Sequence, residues 1–92
     1  MAPAAAKWLI TGRVQGVGFR WFVARQAHAA GLTGWVRNLP DGRVEIVACG
    51  ESDALATLGA RLHSGPPAAT VERVEKLDIP HEGVAGNTFE IR

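Results

Sequence analysis

Gly12-Arg13-Val14-Gln15-Gly16-Val17-Gly18-Phe19-Arg20 joins two different hydrophobic periodicities, and the rest of the chain arranges itself around that junction. Before it, Trp8, Ile10, Gly12 and Val14 alternate with Lys7, Thr11 and Arg13, while Leu9 adds bulk to the second face. This predicts a strand over residues 7–14, buried on most of both faces. After it, Trp21 to Ala30 contains neither proline nor glycine, and Val23, Ala27 and Ala30 fall at i, i+4 and i+7. A helix follows from that stripe, with Gly31 as its C′ stop. The junction itself holds three glycines and two arginines. Glycines at positive φ can turn successive N–H groups the same way into a nest that suits an anion. Arg20, at the start of the helix, adds a forked guanidinium to the positive helix terminus. Taken alone, the glycines could equally do no more than shape a strand-to-helix turn.

Working outward, residues 33–39 form a second predicted strand, with Gly34, Val36 and Asn38 on one face and Trp35, Arg37 and Leu39 on the other. Pro40-Asp41-Gly42 is a tight-turn signal, and residues 43–49 return as an antiparallel partner with Val44, Ile46 and Ala48 on one face. Gly50 ends that strand. Ser52 is placed to cap a second helix, Asp53 suits its first turn, and Leu55, Leu58 and Leu62 mark its buried stripe. Gly65-Pro66-Pro67 stops it. Residues 70–79 are expected to form a fourth strand, although Val71, Val74, Leu77 and Ile79 are spaced too irregularly to identify its buried face. Residues 80–87 read as a loop, and 88–92 as a short last strand on Phe89 and Ile91. The order is β-α-β-β-α-β plus a short C-terminal strand: an α+β, ferredoxin-like sandwich with two helices on one face of an antiparallel sheet. Residues 1–6 are expected to be a frayed tail, and 7–92 a single domain.

Composition narrows the function classes. The 92 residues are 47% apolar and 21% charged, which favours a folded globular domain with one modest core over a disordered chain. The net charge is only +1, with basic and acidic residues scattered, so no long-range field for nucleic acid or a membrane is implied. No run reaches the ~18 apolar residues of a spanning helix, and the Ala-rich start lacks a signal peptide's basic opening. Cys49 is the only cysteine, which excludes an internal disulfide and is compatible with a reducing compartment, so a cytoplasmic protein is expected. Cys49 itself reads as a small buried hydrophobe. His28, His63 and His81 stand at unrelated spacings without neighbouring ligands and read as surface or helix-end residues rather than a metal site. Trp8, Trp21 and Trp35 read as core and rim packing. Arg13, Arg37 and Arg43 read as solvated strand charges, of which Arg13 or Arg37 could help draw in an anion.

The spacing G-x-x-x-G-x-G matches neither the dinucleotide fingerprint nor the P-loop, so nucleotide binding is not indicated. Gly12 to Arg20 does resemble the first signature of the acylphosphatase family. Gly34-Trp35-Val36-Arg37-Asn38, three residues, Gly42-Arg43-Val44, five residues and Gly50 is similar to that family's second pattern. The likeness is close from Trp8 to Gly50 and looser to the C-terminus. The Ala-rich start and the 81–87 loop lie outside both motifs, and nothing functional is assigned to them. The resemblance implies a ferredoxin-like fold and hydrolysis of a small acyl phosphate to a carboxylate and inorganic phosphate. It further implies that Arg20 binds the phosphate, that the backbone amides of Gln15, Gly16, Val17, Gly18, Phe19 and Arg20 cradle it, and that Asn38 orients the attacking water.

That chemistry suits the residue types. A carboxylate leaving group, with a conjugate acid of pKa about 4, departs without a general acid. Phosphoryl transfer then needs mainly positioning and charge stabilisation, so neither metal nor cofactor is expected. A neutral amide at Asn38 can accept from a water without repelling the phosphate. The expected partner is a small-molecule acyl phosphate alone, with no nucleic acid and no membrane, and a monomer is expected. Two alternatives remain: a non-catalytic acylphosphatase-like phosphate-binding module, such as that at the head of the hydrogenase-maturation carbamoyltransferases, and an RNA-binding module of the same element order. The second is weakened because residues 43–48 offer no aromatic for base stacking.

Overall fold

Strand β1 (Ala4–Arg13) starts three residues before the hydrophobic alternation begins, as seen in a computed structural model that describes residues 3–81, 84 and 86–92. Ala4, Ala5 and Ala6, expected to lie in a frayed tail, instead pair with Gly50, Cys49 and Ala48 of strand β3 (Val44–Gly50), and Ala5 and Ala6 also pair with Ile79 and Asp78 of strand β4 (Thr70–Ile79). Alanine has little strand propensity of its own. Here neighbours on both sides satisfy its backbone, and context overrides propensity. Met1 and Ala2 lie outside the described residues.

Helix α1 (Phe19–Ala29) opens two residues earlier than its stripe suggested, because Phe19 is driven into the core. Its C-terminus is the expected one. Leu32 N–H donates to Ala27 O (2.9 Å) and Gly31 N–H to His28 O (3.2 Å), with Gly31 at φ 71°, a Schellman closure sealed by buried Leu32. Helix α2 (Ser52–Leu62) buries Leu55, Leu58 and Leu62 as expected, but Glu51 rather than Ser52 takes the extended N-cap position. Neither side chain closes a cap hydrogen bond, and Asp53 in the first turn supplies the favourable charge instead.

Strand β2 (Thr33–Asn38) pairs antiparallel with β3, and the short β5 (Phe89–Ile91) adds to its other edge in parallel. The sheet order is β4-β1-β3-β2-β5, the ferredoxin-like arrangement, with α1 lying over β2 and β5 and α2 over β1 and β3. Trp8, Ile10, Val36, Val44, Ile46 and Phe89 point from the sheet to Phe19, Val23, Leu58 and Leu62 on the helices. Each such burial is worth ~1.5–3 kcal/mol, and together these side chains hold the layers in register. Of the 80–87 loop, residues 82, 83 and 85 lie outside the described residues.

The irregular spacing in β4 has a structural cause. Thr11 pairs with Arg73 but Gly12 pairs with Val71, so Glu72 is an extra residue in a β-bulge. Val71 and Val74, three apart, thereby both face the core cluster. Gly12 is required there: a Cβ would run into the Thr70 carbonyl oxygen, and its φ is 137°.

The helix-free face of the sheet carries a buried charge. Glu45 accepts from Arg37 Nε at 2.7 Å and Trp35 Nε1 at 3.3 Å, and pairs with Lys7 Nζ at 3.2 Å. Burial by itself raises the Glu45 carboxyl, but hydrogen bonds from Arg37, Trp35 and Lys7 outweigh it and hold the pKa below the ordinary value. The folded state therefore binds its proton less readily than the unfolded chain. The associated stability is present above the ordinary glutamate range and is lost as pH falls through the lowered folded value. E45Q is expected to cost on the order of 1 kcal/mol at pH 7, a modest figure because Lys7 and Arg37 remain partly solvated. It should also flatten the decline of urea-unfolding midpoints between about pH 5 and pH 3. An unchanged acid slope in E45Q would show that other carboxylates carry it.

Candidate active site

The chain between β1 and α1 is pinned at both ends by buried side chains, Val14 and Phe19, each only 1% exposed. Between them Gly16 and Gly18 adopt φ of 73° and 80°, and Gly18 is also the N-cap of α1. A side chain at either φ would be strained, so glycine is what allows the loop to curl beneath the helix start. Among the described residues, the N–H groups of Gln15 to Arg20 have no acceptor, whereas Phe22 N–H already closes the first helical turn on Gly18 O at 3.0 Å. The first helical turn leaves its N–H groups unpaired by geometry, and they point out of the helix terminus together with its positive dipole.

The hairpin between β2 and β3 is fastened to this loop. Gln15 Nε2 donates to both Leu39 O (2.8 Å) and Arg43 O (2.9 Å), so one side-chain amide bridges the two arms of the turn. The turn is closed by Gly42 N–H to Leu39 O (3.1 Å) and Leu39 N–H to Arg43 O (2.8 Å). Asp41 accepts from Arg43 N–H (3.1 Å) and Arg43 Nε (2.8 Å); the main-chain donor above all holds its carboxyl below the ordinary value. Arg43 is thus engaged in the turn rather than solvated.

Asn38 ends β2 on the helix-facing side, opposite Val44. Its Oδ1 is fully buried and has no hydrogen-bond partner. A buried acceptor without a donor costs ~1–3 kcal/mol, an expense that folding alone does not explain. Arg20 lies half-buried on the first turn of α1, and its Nη1 donates to the main-chain oxygen of Arg92 at 3.0 Å. That oxygen reaches Arg20 because Arg92 N–H bonds to Val36 O (2.8 Å) and the Arg92 guanidinium stacks over Trp35 at 4.4 Å, extending β5 alongside β2. Among the described residues no Asp or Glu side chain pairs with Arg20, so most of its five N–H donors remain free for an anion.

These groups converge on one small cavity of about 110 Å³, lined by Val14, Gly16, Gly18, Phe19, Arg20, Trp21 and Asn38. Its size is roughly that of three to four waters, enough for a small tetrahedral anion and a water. Of the sequence-derived residues, Gly16, Gly18, Phe19, Arg20 and Asn38 meet there. Gln15 and Val17 turn their side chains elsewhere: the Gln15 side chain serves as the clamp to the hairpin, and Val17 lines a neighbouring hollow. Arg37 faces Glu45 on the opposite side of the sheet from Asn38 and is not aimed at the cavity. A larger hollow, about 390 Å³, lies between residues 3–6 and 76–81, where Lys76 and Asp78 pair with each other rather than converge on a ligand.

Trp21 and Cys49 also differ from their sequence reading. Trp21 is not packed but 69% exposed at the cavity mouth. Cys49 is a half-buried free thiol rather than a core residue. His28 is the expected helix-end residue, its Nε2 lying 3.2 Å from Phe89 O. The role of the Arg92 main-chain oxygen had no sequence signal at all, since every residue type carries that atom. Among the described residues no group of three or more His, Cys, Asp or Glu side chains is arranged to hold a metal ion, and no helix is long and apolar enough to cross a membrane.

Comparison with known proteins gives the same picture from a different direction. The family model described as Acylphosphatase matches residues 6–91. A relative named Acylphosphatase from Chromohalobacter salexigens is 58% identical over 99% of both chains. Another, from Thermococcus kodakarensis, is 52% identical over 94% of both. The solved structure of an acylphosphatase from Coxiella burnetii superposes with a TM-score of 0.90 at 41% identity, covering 98% of this chain and 93% of that one.

Proposed function

Because the chain belongs to the acylphosphatase family and is an acylphosphatase enzyme, we propose that Arg20 and the amides of Gln15 to Arg20 hold the phosphate of a small acyl phosphate while Asn38 places the water that attacks it. The observation that carries this assignment is the buried, unpartnered Oδ1 of Asn38 on the wall of the cavity that Arg20 also lines.

In this reading the water donates one hydrogen bond to Asn38 Oδ1, which turns its lone pair toward phosphorus. The new P–O bond forms from that lone pair, and the bond from phosphorus to the acyl oxygen breaks. The carboxylate leaves with the bonding pair and needs no proton, since its conjugate acid has a pKa of about 4. The water's proton passes to a non-bridging phosphate oxygen, so the products are a carboxylate and inorganic phosphate. Charge on the equatorial oxygens is balanced by the loop N–H groups, the helix terminus and the Arg20 fork, which are already in place before the reaction. Arg92, by accepting from Nη1, fixes where that fork points.

The site asks for no metal and no cofactor to supply this stabilisation, and we take the enzyme to act as a monomer on a small molecule in a reducing, cytoplasmic setting, in keeping with the free thiol of Cys49. An RNA-binding reading finds little support on the helix-free face. The central strands there present Lys7, Leu9, Glu45 and Val47, and the nearby Trp35 is occupied by Glu45 and Arg92. The test is release of inorganic phosphate from benzoyl phosphate, which should be undiminished by excess chelator. An inactive wild-type protein would sink the reading, and loss of activity with chelator would sink its metal-free form.

A further inference from the structure

The phosphate cavity does not stand alone. A second hollow of about 330 Å³ shares Gly18 and Trp21 with it and is further lined by Val17, Arg25, Pro66 and Pro67. Three features single it out. Trp21 is the exposed tryptophan of the three, at 69%, whereas Trp8 is in the core and Trp35 is held by Glu45 and Arg92. A large indole left to water costs burial energy that the fold does not recover. Pro66 and Pro67, following α2, form a stiff wall whose φ angles are locked. Arg25 stands one turn beyond Trp21 on the same face of α1 and has no ion pair or hydrogen bond among the described residues.

A substrate with its phosphorus beside Arg20 carries its acyl carbon one oxygen away, so the acyl group must pass whatever lines the mouth of the cavity. We infer that this second hollow is the acyl subsite, taking an apolar, ring-bearing acyl group between Trp21 and the Pro66-Pro67 wall and a second, distal anion at Arg25. Arg25 lies five residues beyond Arg20, roughly 7.5 Å along the helix axis and about 140° around it, but one turn beyond Trp21, with which it lines the hollow, so a para-substituted ring laid against Trp21 carries its far substituent toward Arg25. The preferred substrates are therefore acyl phosphates whose acyl part bears an aromatic or comparably flat apolar body ending in a carboxylate. The inference rests on the acyl phosphate hydrolase reading above and adds the substrate class.

The test compares kcat/KM for acetyl, benzoyl and 4-carboxybenzoyl phosphate. W21A is expected to lower the benzoyl-to-acetyl ratio about five- to tenfold, mainly through KM, as loss of an aromatic contact should. R25Q should lower kcat/KM for 4-carboxybenzoyl phosphate about three- to tenfold and leave acetyl and benzoyl phosphate within about twofold, the scale of a partly solvated charge pair. R25E should widen the deficit for the dianionic acyl group. A W21A variant that slows all three substrates equally, or an R25Q variant that slows none, would overturn the acyl subsite while leaving the hydrolase reading intact. A wild-type protein that hydrolyses none of the three would bring down both together.

Discussion

The N38A variant is expected to keep its fold and its affinity for phosphate while losing roughly 10²- to 10³-fold in kcat, the scale of a lost positioning group. Asn38 Oδ1 makes no hydrogen bond to protein, so its removal breaks none. The melting midpoint should therefore stay put or rise slightly, since a desolvated acceptor is replaced by a methyl group and stability changes by no more than about 1 kcal/mol. Val36, on the same face of β2 and fully buried, keeps the strand end in place. Arg20 and the loop N–H groups are untouched, so competitive inhibition by inorganic phosphate should change less than about threefold. The pairing of lost turnover with retained stability and phosphate binding is the mark of a residue that acts on the water. Loss of phosphate affinity in step with kcat would assign Asn38 to phosphate binding instead.

R20A should fail differently. Its guanidinium is the charged side chain of the cavity, and its removal strips a charge-assisted fork from the phosphate in ground and transition states alike. We expect kcat/KM for benzoyl phosphate to fall about 10³-fold or more, with inhibition by inorganic phosphate weakened roughly 10²-fold. R20K should recover only part of either, since an ammonium restores the charge without the planar fork. Stability should change little, because the one hydrogen bond lost, to the Arg92 main-chain oxygen, is exposed and worth about 0.5–1.5 kcal/mol at most. Isothermal titration of phosphate against wild type, R20A and N38A separates the roles directly. Phosphate binding by R20A at wild-type strength would remove Arg20 from the site.

Much of this site could be read before the fold was known, for local reasons. Gly16 and Gly18 are dictated by the backbone conformation of the loop itself, and Arg20 follows from its place at the start of α1. The second strand's alternation put Asn38 on the same face as Val36, and the Pro40-Asp41-Gly42 turn brought β3 back beside it. The unread parts depend on atoms that carry no residue identity or on partners far away in the chain. Gln15 clamps the hairpin through carbonyls 24 and 28 positions away. Arg20 is aimed by a main-chain oxygen 72 positions away. The alanines at 4–6 look like a tail until strands on both sides use their backbone.

The same division holds for the molecule as a whole. Periodicity, turn chemistry and glycine placement, each a property of a few neighbouring residues, determined the element order β-α-β-β-α-β, the hairpin and the loop that resembles the acylphosphatase signature at residues 12–20. Packing decided the rest: the bulge at Glu72 that reconciles Val71 with Val74, the burial of Glu45 among Lys7, Trp35 and Arg37, and the meeting of Arg20 and Asn38 at one cavity with the Arg92 main-chain oxygen holding the arginine. Those are outcomes of which surfaces exclude water against which others, a long-range condition that no nine-residue window contains. The Gly12 to Arg20 loop supplied the donors, and the fold of β2 and β5 against α1 set the buried, unpartnered amide oxygen of Asn38 beside them and gave the arginine a main-chain partner.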